Sequence, residues 1–402
     1  MSWLYTISGG IVLFSLVGYG LLWIVLARLF GRSRPHPGTP VRATMLIAAR
    51  NEGADIADKL RSVLAQDLGG HALEILVVSD GSEDDTAAQV RALDVAGVRL
   101  LELPAHEGKA AALNAGLGAI DGDRVVIFSD ANALLRPGAL ARLLAPFGDP
   151  SVGGSIGQLE IAARGGFLGR ADRLFWRYDN ALKRAEDRLG GTVSAQGTLY
   201  AVRRFLVGTV PPDMADDLVI SLGVVARGYR LAYAPGAVAV EPVTGRTGAE
   251  LARRVRSTER GWRGLMAHAG LMNPARSGLY AVQLFCHKAL RRLVAFVLPV
   301  LLMANIALVA GGDAGWLTWS TLVLQLAVHG LGLGAWALPA LRRVPGASVA
   351  VLFTMGHAAM AAGVLRAMSG RRSAKWTPVR DVPARAVPVA LAIPATNRKR
   401  GK

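Results

Sequence analysis

Short apolar runs at residues 45–48, 73–78, 98–103 and 125–128 alternate with stretches of helical spacing at 54–66, 85–96 and 109–120. Runs of four to six apolar residues fit buried strands, and their alternation with amphipathic helices predicts an α/β fold with a mainly parallel sheet. Open sheets of this kind bind ligands beyond the carboxyl ends of their strands. Those ends read AARNEG (48–53), SDGSEDDT (79–86) and SDAN (129–132).

Longer apolar segments flank this region. Residues 7–30 are long enough to span a bilayer and carry one charge, Arg28, at their far end. Arg28, Arg32, Arg34 and Arg42 follow the segment and nothing basic precedes it, so the positive-inside rule places the next domain in the cytoplasm. Pro35, Pro37 and Pro40 form a stiff linker. Three further apolar runs lie at 293–310, 316–338 and 347–365, after the cluster His287, Lys288, Arg291 and Arg292. If all three cross, the basic tail falls on the far side, against the same rule, so 347–365 is either re-entrant or interfacial, or an exception. Gln325 and His329, four apart, suit an interhelical hydrogen bond.

The expected organisation is therefore a transmembrane helix and linker start at 1–34, a cytoplasmic α/β domain at 35–265, interfacial and transmembrane segments at 266–370 and a basic tail at 371–402. Within the domain, residues 167–189 repeat apolar positions at helical spacing among six basic residues. Such a helix lies either in the headgroup plane or on the sheet.

Composition narrows the partners. The chain has 402 residues, 52% of them hydrophobic, and a formal charge of +17, which suits anionic lipid or phosphorylated substrates. Basic clusters interleaved with aromatics are not evident, so no nucleic-acid partner is expected. Cys286 is the single cysteine, which excludes an internal disulfide and a cysteine-built zinc site.

The strand ends carry the candidate chemistry. Neither a Gly-x-Gly-x-x-Gly after the first strand nor a Walker lysine is present. Instead Glu52, Asp80 and Asp130 are expected to converge on one rim. Asp130 and Asn132 could each cap a helix, or Asp130 could be a hard oxygen ligand with Asn132 adding a neutral carbonyl. Gly108 and Lys109 open a helix whose amino end favours phosphate. Asp216 and Asp217 start another helix, as a capping pair or as something more, since one Asp would suffice as a cap.

In order, AARNE, VVSDGSEDDT, EGKAAALNAG and FSDAN resemble the nucleotide-sugar half of membrane-embedded family 2 glycosyltransferases, the inverting GT-A group that includes cellulose, hyaluronan and poly-N-acetylglucosamine synthases. The likeness continues through GTVSAQGTLYAVRR, MADDLVISLGVVARGYRLAYAPGAVAVE and RRVRSTERGWRGL. It implies a GT-A domain with one N-terminal and two to three C-terminal transmembrane helices. Donor contacts would come from Ala48, Arg50, Glu52, Asp80, Lys109 and Asp130, with a divalent Mg2+ or Mn2+ on Asp130 and Asn132. It makes Asp217 the general base and Arg256 a cation on the leaving diphosphate, with Gly197, Thr198 and Asp216 on the acceptor side and Asp216 pointing away from the base. The family's Gln-x-x-Arg-Trp reads Arg253, Arg254, Val255, Arg256, Ser257 here; loss of the Trp removes an acceptor-stacking platform and tells against processive synthesis. The implied reaction is transfer from a UDP-sugar to a polysaccharide or lipid-linked acceptor at an inner membrane. The alternatives are single transfer to a lipid, or an idle GT-A scaffold.

Overall fold

A computed structural model describes residues 1–32, 38–162, 167–241 and 247–370. Arg34, Pro35, Pro37 and the basic tail 371–402 lie outside the described residues. The predicted strands are present as β1 (Arg42–Ala49), β2 (Ala72–Asp80), β3 (Val98–Leu103) and β4 (Val125–Ser129). They are joined by β5 (Leu134–Leu135), β6 (Val152–Ile161), β7 (Leu199–Arg203) and β8 (Arg230–Glu241). All eight form one sheet of order β3-β2-β1-β4-β7-β6-β8-β5. Strands β3, β2, β1 and β4 are mutually parallel, and β7 inserts antiparallel between β4 and β6.

Every residue of β4 is buried, as expected of a strand covered on both faces. Met45, Ile47, Val77 and Ile127 face one core with the Ile56–Leu64 helix. Leu46, Leu76, Val126 and Phe128 face the other with the Lys109–Gly118 helix. The helices are shorter than their spacing predicts: 54–66 becomes Ile56–Leu64, and 85–96 becomes Thr86–Ala92. The second stops early because Asp94 and Gly97 take positive φ, turning the chain into β3.

Four helices among the described residues are long and apolar enough to cross a membrane: Ser2–Leu29, Leu279–Ala310, Trp316–Ala337 and Ala347–Met368. The second begins well before residue 293 and contains a π-turn at Phe285–Leu290. The Gly169–Leu189 helix turns its apolar face to protein: Leu182 and Ala185 pack with Tyr19, Trp23, Ala27 and Cys286. Gly20 permits this approach, since a Cβ there would collide with the Tyr178 ring. His329 Nδ1 lies 3.2 Å from Thr354 Oγ1, the interhelical bond its position suggested.

The last helix does not leave the α/β domain. Val351, Leu352 and Met355 line a small cavity with Glu250, Leu251 and Arg254 of the Thr247–Ala267 helix. Two turns on, Gly363 still faces Val255 and Thr258 of that helix.

Candidate active site

The ends of β1 and β2 are laced together. Arg50 Nη1 donates to the Asp80 carbonyl at 2.9 Å, and Nη2 pairs with Glu83 at 3.0 Å. Asn51, at φ 52°, accepts from the Glu83 amide through its side chain. The buried Glu52 donates its amide to Thr86 Oγ1 at 2.7 Å, and Ala48, one residue before the end of β1, is half-buried. Asp84 takes the local turn role, accepting from the Thr86 amide.

Asp80 is only 2% exposed. Its carboxylate accepts from the amides of Glu107 and Gly108 at 2.8 and 2.9 Å and meets His106 Nδ1 at 2.8 Å. The structure therefore places Asp80 behind the turn that launches Lys109. Gly108 makes that turn at φ 105°, a conformation disfavoured for other residues.

Lys109 is the centre of the site. Its Nζ lies 2.9 Å from Asp130 Oδ1 and 3.3 Å from Asp216 Oδ2. Burial works against its charge, but Asp130, Asp216 and Asp217 outweigh it and hold the ammonium well above its usual range. Asp216 therefore points at Lys109. Asp217 accepts its helix's Leu218 amide at 2.7 Å. Burial, then Asp216, push the Asp217 carboxyl up, and Lys109 opposes them. Between these groups stands Gly197: a Cβ there would lie 3.6 Å from Asp130, 3.9 Å from Lys109 Nζ and 4.0 Å from Asp217. Its bare backbone leaves a space bordered by all three. Thr198, buried next to it, accepts the Ser129 hydroxyl at 2.7 Å.

Residues 44–208 match the family model described as glycosyl transferase family 2. The poly-beta-1,6-N-acetyl-D-glucosamine synthase of Staphylococcus aureus (strain COL) is 30% identical over 199 residues, covering 48% of each chain. Residues 44–208 are a glycosyl transferase family 2 domain.

An N-acetylglucosaminyltransferase of Mesorhizobium japonicum is 28% identical over 241 residues, 55% of this chain and 56% of that one. The chain thus spans about half the length of the curated relatives it matches. A mannosyltransferase from Pyrobaculum calidifontis, solved with GDP-Man and Mn2+, superposes with a TM-score of 0.67 at 24% identity, covering 91% of this chain and 99% of that one. The fold is GT-A, and the likeness extends across the apolar helices.

Two residues of this glycosyl transferase domain escaped the sequence reading. Lys59 is fully buried and donates to Ser129 Oγ and to the Ala133 carbonyl, both at 2.6 Å, gripping the segment that carries Asp130 and Asn132 at its two ends. Burial lowers its pKa to about 7, although Asp130 resists. The signal was a lysine set among Ile56, Leu60 and Val63 on the buried face of its helix. Tyr200 stacks on Phe128 at 4.7 Å, and its buried hydroxyl has no hydrogen-bond partner among the described residues. Burial, with Asp216, Asp217 and Asp130, holds it well above the usual phenol range.

Arg256 is half-buried, without a hydrogen bond or ion pair among the described residues. Its neighbour Arg260 braces the approach to Asp216 instead, donating to the Met214 carbonyl at 2.9 and 3.1 Å. Among the described residues no group of three His, Cys, Asp or Glu is arranged to hold a metal ion, so a divalent cation at Asp130 would rest on few protein ligands. Three carboxylates face one ammonium, Asp130 is 35% exposed, and the half-buried Asn132 makes no side-chain bond among the described residues. A cation bridging a diphosphate needs few protein ligands, because phosphate oxygens and water complete its shell.

Proposed function

We propose that this protein is an inverting membrane glycosyltransferase that moves a sugar from a nucleotide-sugar to a polysaccharide or lipid-linked acceptor. One observation carries the reading: Lys109, Asp130, Asp216 and Asp217 converge around the bare backbone of Gly197. Glu52 and Arg50 sit where a nucleoside would bind, at the ends of β1 and β2, and Asp80 acts on the donor through the Glu107–Lys109 turn it holds. Lys109 meets the diphosphate. Asp130, with the Asn132 oxygen, would hold Mg2+ or Mn2+, which would neutralise charge on the leaving nucleoside diphosphate. Asp217 takes the acceptor hydroxyl proton as that oxygen attacks the anomeric carbon, and the bond to the diphosphate breaks on the opposite face. Arg256, which has no hydrogen bond or ion pair among the described residues, is available to move toward the diphosphate when donor binds.

Support for the donor comes from the relatives, whose names specify N-acetylglucosamine transfer, so UDP-N-acetylglucosamine is the first donor to test. The fold neighbour's GDP-Man makes GDP-mannose the second. Donor hydrolysis by the detergent-purified chain, screened across UDP- and GDP-sugars with Mn2+, tests the reading; no turnover of any donor would overturn it.

The metal assignment has its own test. Asp130→Ala should weaken Mn2+-dependent UDP binding at least about tenfold, while Asn132→Ala should cost only a few-fold, because only the carboxylate neutralises cation charge. Calorimetry showing equal losses would overturn it.

The domain is placed in the cytoplasm at an inner membrane, from the arginines after the first apolar helix. The 347–368 helix packs on the Thr247–Ala267 helix and also on the Trp316–Ala337 helix, through Ala335 and through Thr354 with His329.

A further inference from the structure

The π-turn at Phe285–Leu290 carries His287 and Lys288, and Arg292 follows one helical turn later. A π-turn re-aims side chains along an otherwise regular helix. His287 is spent on Glu186 at 2.8 Å and Asp179 at 3.3 Å. Asp179 also takes Lys183, Arg291 and Gln196, and Glu186 takes Tyr19 and Thr192. The carboxylates next to the turn are therefore fully engaged, yet two cations are left over. Lys288 has no side-chain hydrogen bond or ion pair among the described residues, and Arg292 reaches only the Lys288 carbonyl, at 2.7 Å.

These two cations do not simply fringe an apolar helix. Arg292 Nη2 lies 2.8 Å from where a Cβ of Gly261 would stand, so it is aimed inward at the domain through a gap that glycine opens. Leu284 and Ala289 of the same helix pack with Leu218, Leu222 and Leu265, which seats the turn against the helix that begins at Asp216. Both cations interact electrostatically with Asp217. Both side chains are half-buried and so remain reachable. Asp217, and for Lys288 also Asp179 and Glu186, act on these cations only at a distance, and neighbouring cations repel them, so an anionic ligand in direct contact would relieve the cost of holding both charges half-buried. At the domain end of an apolar helix, the abundant anion is phosphate carried by a lipid.

We propose that Lys288 and Arg292 bind a lipid-borne phosphate and so present a lipid-linked acceptor to Asp217. The inference rests on the glycosyltransferase reading and names the acceptor class for it. The shared chemistry is a phosphate on a membrane amphiphile, either the monoester of an acceptor anchor or the diester of bulk phospholipid.

The test uses the full chain in phosphatidylcholine nanodiscs, with farnesyl phosphate as the probe. Wild type is expected to bind it, and the double variant Lys288→Met, Arg292→Met to bind about tenfold or more weakly, the loss expected for two charge-assisted bonds. The charge-keeping pair Lys288→Arg, Arg292→Lys should stay close to wild type, and UDP affinity should be unchanged in both, which shows that the cleft is folded. Insensitivity to phosphatidylglycerol at equal mole fraction supports the acceptor anchor; full competition by it overturns that assignment in favour of bulk lipid. Equal farnesyl phosphate affinity in the double variant, or no binding by a wild type that binds UDP, overturns the site. A wild type that binds farnesyl phosphate but not UDP keeps the site and overturns the transferase reading instead.

Discussion

Asp217→Asn is expected to lower sugar transfer by about 10²–10⁴-fold, the usual range for a general base, while UDP affinity stays near wild type. Asn keeps the size of the side chain and can still accept the Leu218 amide, so the helix start is preserved. What it loses is the capacity to take a proton. If Asp217 were only a helix cap, the variant would remain close to fully active, because Asn caps as well as Asp.

Asp216→Asn separates the neighbours in a different way. Because Asp216 faces Lys109 at 3.3 Å, this variant changes the charge around the diphosphate position and should move donor KM more than kcat. Asp217→Asn should do the reverse. The pH profile gives a second readout. Burial and Asp216 raise the Asp217 carboxyl above its ordinary range, and only the ionised form accepts a proton. The rate should therefore fall as pH drops through that raised value, at a higher pH than an ordinary carboxylate would give, and Asp217→Asn should lose this acidic limb. An active Asp217→Asn enzyme with the limb intact would remove Asp217 from the mechanism.

The sheet was legible because strands buried on both faces have apolar centres, and residues 45–48 of β1 and 125–128 of β4 are apolar runs. Helix ends were less legible, since Asp94 stops its helix through a positive φ that apolar spacing does not encode. Within the site, sequence located the acids on one rim but not their direction. Asp80 and Asp130 both follow apolar strands, yet one is buried behind a turn and the other opens to the cleft. That difference arises from Gly81 and Gly108, whose positive φ values fold the Glu107–Lys109 turn over Asp80. Lys59 was missed because a charge count treats every lysine as solvated, whereas this one lies inside the stripe of its helix. Arg256 matched a motif position, but the braces among the described residues come from Arg260, one turn later.

Lys109→Met carries the second large effect. The ammonium is the one cation within ion-pair distance of Asp130 and Asp216 among the described residues, and methionine keeps the stem's length and suits a helix. Without it, Asp130 and Asp216 are left with no ion-paired cation among the described residues. A nucleoside diphosphate then meets net negative charge, so UDP affinity without metal should fall about 10–100-fold, the worth of a hydrogen bond between charged groups. Mn2+ binding without nucleotide should move the opposite way and tighten, because the cation that competed for Asp130 is gone. Lys109→Arg should recover part of the UDP affinity but not its full value, since a planar guanidinium cannot reproduce a compact ammonium between two carboxylates. Opposite shifts for UDP and Mn2+, measured separately by calorimetry, would establish Lys109 as a phosphate ligand held in reserve by two acids. Unchanged UDP affinity with a lower melting temperature would show instead that Lys109 only neutralises Asp130 and Asp216, and the diphosphate position would have to move.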